Sequence, residues 1–177
     1  VAALTTEALA SLDGTQVNGL ASEDLAALSS AQVASLATEA LASLDGTQVN
    51  GLASEDLAAL SSDQVASLAT EALASLDGTQ VNGLASEDLA ALSSAQVASL
   101  ATEALASLDG TQVNGLASED LAALSSDQVA SLATEALASL DGTQVNGLAS
   151  EDLAALSSAQ VASLATEALA SLDGTQV

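Results

Sequence analysis

The groups able to do chemistry in this chain are oxygens. Its 177 residues include 24 Asp and Glu but no Lys, Arg, His, Cys, Met, Pro, Trp, Tyr or Phe. Carboxylates, amide oxygens, hydroxyls and backbone carbonyls are hard donors, the set Ca²⁺ prefers, and extracellular modules typically hold that ion at about 10⁻⁴ to 10⁻³ M. The segment Asp45-Gly46-Thr47-Gln48-Val49-Asn50-Gly51 concentrates such donors beside glycines. It returns from Asp13, Asp77, Asp109 and Asp141, bringing in Asn18, Asn82, Asn114 and Asn146. The adjacent pairs Glu23-Asp24, Glu55-Asp56, Glu87-Asp88, Glu119-Asp120 and Glu151-Asp152 form a second candidate set. No side chain offsets the formal charge of −24, so bound calcium is the expected counterweight. The spacing matches neither the EF-hand loop nor the Gly-Gly-x-Gly-x-Asp calcium nonapeptide. A second assignment of the same residues needs no metal: Asp caps helices, Glu favours a first turn, and the charge keeps the chain in solution.

Other chemistries lose their reagents. Without His, Lys or Cys there is no Ser-His or Cys-His pair, no Schiff-base amine and no imidazole metal ligand. Paired carboxylates can serve glycoside hydrolysis, but a dyad repeated in every unit with no aromatic wall to a pocket does not fit that role. No catalytic activity is expected. Phosphate backbones are held by Lys and Arg, and anionic membrane surfaces attract the same groups, so neither nucleic acid nor a membrane surface is an expected partner. No apolar run approaches the roughly 18 residues of a spanning helix.

The positions of these oxygens are set by a repeat. Residues 33–64 copy residues 1–32 almost letter for letter, and Val1, Val33, Val65, Val97, Val129 and Val161 open successive 32-residue units. The array reads as one continuous body over 1–177. The lack of an opening Met and the stop inside a unit at Val177 suggest an excerpt of a longer array. Within each unit an aliphatic residue is followed by Leu three positions later, every eight residues: Val1/Leu4, Leu9/Leu12, Val17/Leu20, Leu25/Leu28. The octad is the structural quantum. Ala31, Asp63, Ala95, Asp127 and Ala159 alternate and stretch the longest register to 64 residues.

An i, i+3 pair shares a face on a helix and is split between faces on a strand. Ala, Leu, Glu and Gln outnumber β-branched residues, which favours helix. A single long helix fails, because alternating steps of three and five average four residues per turn and the stripe slips about 80° per octad. Short helices re-aimed at each octad boundary resolve this. Ser29-x-x-Gln32, Ser61-x-x-Gln64 and Asp45-x-x-Gln48 are capping-box patterns. At Ala21 and Ala37 the cap is poorer, and Ser22 or Thr38 is expected to shift the start by one residue. Gly14 and Gly19 are expected as breaks or left-handed positions. Helices this short are unstable alone, so the Leu and Val of one octad must pack against another winding: a helical repeat solenoid around an aliphatic core. Four octads per coil would stack like on like and bring each carboxylate beside its own copies, although duplication alone also yields a 32-residue period. A parallel β-solenoid is the competing architecture, since Asp-Gly-Thr and Asn-Gly suit its corners.

The octads Gln32-Val-Ala-Ser-Leu-Ala-Thr-Glu39 and Asp56-Leu-Ala-Ala-Leu-Ser-Ser-Asp63 resemble the Q-V-x-x-L-[ST]-[ST]-x arrays of very large, adhesin-like secreted proteins of alphaproteobacteria, a group that includes calcium-stabilised biofilm matrix fibres of Caulobacter. Only some octads keep Gln before the aliphatic residue, and Gly19 departs from the usual small helix former. The resemblance implies an extracellular protein that folds where calcium is present and assembles with itself end to end. Two further functions fit the residues: a stalk or ligand-binding array within a giant adhesin, and a designed consensus solenoid.

Overall fold

The computed structural model describes residues 1–173 and 176. Among them are twenty-one short helices and no strand. In chain order they are α1 (Thr6–Ala10), α2 (Gly14–Asn18), α3 (Ser22–Ala26), α4 (Ser30–Val33), α5 (Thr38–Leu41), α6 (Gly46–Val49), α7 (Ser54–Leu57), α8 (Ser62–Ser67), α9 (Thr70–Leu73) and α10 (Gly78–Val81). They continue as α11 (Ser86–Ala91), α12 (Ser94–Ser99), α13 (Thr102–Leu105), α14 (Gly110–Val113), α15 (Ser118–Ala123), α16 (Ser126–Ser131), α17 (Thr134–Ala138), α18 (Gly142–Val145), α19 (Ser150–Ala155), α20 (Ser158–Ser163) and α21 (Thr166–Ala170). The chain is a helical solenoid, and the β-solenoid alternative is overturned. Asp-Gly-Thr turns no strand corner, because the Asp45 carboxylate instead accepts the Gln48 backbone N–H at 2.9 Å and caps α6.

Each helix fills one octad. Numbering octad positions from the N-cap, the helix begins at position two and the aliphatic residues fall at five and eight. The link between helices is a two-residue extended step, as at Leu68 (φ −61, ψ 139) and Ala69 (φ −64, ψ 149). That step re-aims the chain before the aliphatic stripe can drift off the core. Position five is sealed throughout the inner turns, with Val49, Leu57, Val65 and Leu73 all at 0% exposure, and the Leu at position eight is buried beside it.

The N-caps divide by sequence. At Asp77 the full box forms: its carboxylate accepts the Gln80 N–H at 2.9 Å, and Gln80 Oε1 accepts the Asp77 N–H at 3.1 Å. At Ala85 only the return half exists, with Asp88 Oδ2 accepting the Ala85 N–H at 2.9 Å. At Ala69 there is no side-chain cap. The expected one-residue shift at Ala21 and Ala37 does not occur, since both are N-caps with extended backbone. Burial of Ala40 and Leu41 anchors α5 in phase without a capping side chain.

Successive turns are staggered. Each helix packs on the third helix before it and the third after it, α3 on α6 and α6 on α9. Hydrogen bonds from the front half of an octad reach further back: Gln80 Nε2, in α10, donates to the Leu52 carbonyl at 2.7 Å, 28 residues earlier, beyond α6 and ahead of α7. A turn of 28 residues holds three and a half octads, so the rows are laid like bricks and the four-octad coil is not adopted. Because the unit has four octad types, each helix packs chiefly on the type that follows it in sequence, while its Gln reaches the end of its own copy, as Gln80 of α10 does at Val49 of α6. Identical carboxylates therefore do not stack on successive turns.

Candidate functional site

The unexpected working residue is the Gln at position four. Gln was legible as half of a capping box, but its second role was not. Gln80 Oε1 accepts the Asp77 N–H while Nε2 donates to the carbonyls of Val49 at 3.0 Å and Leu52 at 2.7 Å. Gln64 reaches Ala34 and Leu36 in the same way, at 2.9 and 2.8 Å. Glu would serve the box as well, yet only an amide can accept on one side and donate on the other. The consistent use of Gln over Glu at this position was the available signal. Where position four is Asp the link runs the other way: the Ser62 hydroxyl donates to Asp88 Oδ1 at 2.8 Å across 26 residues. Among the described residues no buried side-chain nitrogen or oxygen lacks a partner.

These contacts decide where the candidate metal ligands go. Asp13, Asp45, Asp77, Asp109 and Asp141 are N-caps, each accepting the N–H of a Gln at 2.9 Å. Asp56, Asp88, Asp120 and Asp152 are buried, each with one oxygen on an N-cap N–H and the other on a Ser hydroxyl. Asp24, in the first turn, accepts only from Ala21 N–H. Glu23, Glu55, Glu87, Glu119 and Glu151 are exposed, each beside a donating Ser hydroxyl, from 3.3 Å at Ser22 to 3.0 Å at Ser118. The Glu119 carboxyl is held below the usual range by its own backbone N–H and then by Ser118.

The fold joins the two candidate sets in an unforeseen pairing. Asn50 shares with Glu23 of the preceding turn a shallow groove between α3 and α6 lined by Ser22, Glu23, Ala26, Thr47, Asn50 and Gly51. The groove recurs with Glu55 and Asn82, Glu87 and Asn114, and Glu119 and Asn146. Asn18, with no turn beneath it, lines an end groove with Gly14, Thr15, Gly19 and Ser43. Each inner groove carries one carboxylate. Among the described residues no three acidic side chains converge as a metal cage would require.

Glycine builds the groove floor. Among the described residues no glycine has a positive φ, so the left-handed role expected of Gly14 and Gly19 is overturned. The reason for glycine is close approach: a Cβ on Gly51, Gly83, Gly115 or Gly147 would stand 2.5, 2.3, 2.2 or 2.3 Å from the carbonyl oxygen of a Ser one turn below. The reverse fit occurs one octad earlier, where the Ser75 hydroxyl donates to the Gly46 carbonyl at 3.0 Å and a Cβ on Gly46 would meet Ser75 Cβ at 2.9 Å.

The alternation at position three also acquires a place. Stacking of α5, α8 and α11 sets Glu39, Asp63 and Glu87 on three successive turns, and α13, α16 and α19 do the same for Glu103, Asp127 and Glu151. Ala31 and Ala95 interrupt the equivalent columns.

The geometry defines a repeat protein of the helical solenoid class. Residues 17–54 match the ALTTAQ repeat family, a stretch from Val17 of α2 to Ser54 of α7 that the later units repeat almost unchanged. No curated protein sequence matches the chain. Among the described residues no helix is long and apolar enough to cross a membrane.

Proposed function

We propose that this chain is a non-catalytic structural module of an extracellular filament or matrix fibre, lengthened by adding turns to its ends. The supporting observation is that the same staggered contact joins every turn to the next. It is a local rule with no built-in closure, as in other solenoids where each repeat touches only its neighbours. At the outer turns Val1, Leu4, Val161 and Leu169 stand 39, 41, 40 and 37% exposed, while their inner equivalents are buried. A further turn of the same geometry, from more of the array or from a second copy, would cover them.

Calcium enters this proposal as a counter-ion held along the exposed carboxylate columns such as Glu39, Asp63 and Glu87. The engaged oxygens of Asp56 and its copies are poor ligands for it. Electron microscopy and sedimentation of the purified chain, with calcium chloride and then with chelator, test both parts. Filaments that grow with protein concentration and shorten on chelation are expected. A chain that stays monomeric at all concentrations sinks the filament, and filaments indifferent to chelator remove calcium. A ligand-binding stalk is the second reading, and the recurring groove is what favours it.

A further inference from the structure

Within each 32-residue unit the polar side chains mostly work for the fold. Gln ties turns together, Asp caps or accepts from Ser, and Ser bonds carbonyls or carboxylates. The side chains of Thr47 and Asn50, with their copies Thr79 and Asn82, Thr111 and Asn114, and Thr143 and Asn146, make no hydrogen bond among the described residues. Both members of each pair line the groove that also holds a Glu carboxylate and a Ser hydroxyl, over a floor of Gly and Ala. Neutral donors and acceptors left idle by the fold thus converge at one place per unit.

We infer that these grooves are an array of subsites for a neutral, hydroxyl-rich polymer, a polysaccharide. An amide and a hydroxyl each donate and accept, and a carboxylate accepts, which together suit the vicinal hydroxyls of a sugar. The net charge of −24 repels acidic polymers, and a single carboxylate per groove is a weak cage for a divalent ion. The grooves measure about 440 to 360 Å³ and have no aromatic platform, so one subsite alone binds weakly. Affinity comes from occupying several along one strand. The grooves recur every 32 residues on turns of 28, so each is displaced by four residues, about a seventh of a turn, and a bound strand wraps obliquely around the solenoid. Every inner groove lies between turns of one chain, so this inference stands whether or not filaments form.

The test uses the full chain and three neutral probes: dextran, cellohexaose and xylohexaose. Side-chain amide signals of Asn and Gln are followed by nuclear magnetic resonance up to about 10 mM sugar, a range that covers weak single-site binding. Saturable shifts of the Asn amides are expected with at least one probe, the Gln amides staying still because they are committed to backbone carbonyls. A variant with Asn18, Asn50, Asn82, Asn114 and Asn146→Ala has no Asn signal, so its binding and that of the unaltered chain are compared through the backbone N–H signals of Gly51, Gly83, Gly115 and Gly147 in the groove floor; it should keep its circular dichroism melt and lose at least tenfold in affinity. No saturable shift with any probe overturns the inference. So does undiminished binding by the variant, and so does saturation of the Asn signals by calcium chloride with no saccharide response.

Discussion

The first turn and the turn above it share nearly the same sequence and differ in what lies beneath them. Gln16 and Gln48 both close a capping box on an Asp, yet only Gln48 has carbonyls to staple, and Gln48 is buried while Gln16 is exposed. Asp24 accepts one hydrogen bond, whereas Asp56 accepts a second from Ser30 at 2.8 Å. Leu20 is half-buried and Leu52 sealed. A Cβ on Gly19 would meet nothing nearer than the Gln16 carbonyl at 3.4 Å, but on Gly51 it would stand 2.5 Å from Ser22. The comparison separates what an octad does for itself from what it does for the octads below. Local caps form in both turns. Burial of the Gln, its staple and the close approach that demands Gly51 arise only where a turn is underneath, whereas Leu9, Val17 and Leu25 are sealed in the first turn as well.

Identical substitutions in the two settings should therefore have unequal effects, read as shifts in urea or thermal unfolding. The largest is expected from truncating the core. Leu84→Ala, in an inner turn, should cost about 2 to 5 kcal/mol, the range for a sealed aliphatic, and Leu20→Ala markedly less. Equal losses would mean that the first turn is covered in solution, as end-to-end association would do.

Gln80→Glu sharpens the contrast because it keeps the local box and destroys only the staple. A carboxylate set against the Val49 and Leu52 carbonyls should cost about 2 to 4 kcal/mol at neutral pH, while Gln16→Glu should be close to neutral. The pH sign follows. A buried carboxyl facing acceptors has its folded pKa raised, so Gln80→Glu is relatively most stable below the unfolded carboxyl range near 4.3, where it is protonated and can donate. Its deficit should grow as pH rises from there up to the raised folded pKa and level off above it. A deficit independent of pH would show that Nε2 donation is not what holds the turns.

Next comes Gly83→Ala, expected to cost about 1 to 3 kcal/mol because the Ser54 backbone must move. Gly19→Ala, with helical backbone (φ −78, ψ −6) and open space below, should instead stabilise by about 0.4 to 1 kcal/mol. Opposite signs at two positions of the same motif would be difficult to obtain from any account based on backbone conformation alone. Smallest is Asn82→Ala, expected within about 0.5 kcal/mol of zero, since the side chain bonds nothing within the chain.

Much of this was readable along the chain. The i, i+3 aliphatic pairs marked the core, and Asp-x-x-Gln and Ser-x-x-Gln marked the helix starts, because a residue and its partner three positions on meet within one helical turn whatever surrounds them. The acidic residues were visible but their company was not, as Asn50 was grouped with Asp45 by sequence and shares its groove with Glu23 by fold.

Sequence by itself determined the octad: where the helices capped by Asp or Ser begin, which two residues each helix buries, and that such short helices need a neighbour. Tertiary structure alone decided that three and a half octads close a turn. The winding number follows from how side chains of one row settle between those of the row below, a fit among residues some 26 to 31 positions apart. No local pattern encodes that offset. The 32-residue period in the sequence differs from the 28-residue turn, and this mismatch places Ser on Gly, Gly on Ser and each Gln over the trailing carbonyls of the copy of its own octad in the turn below.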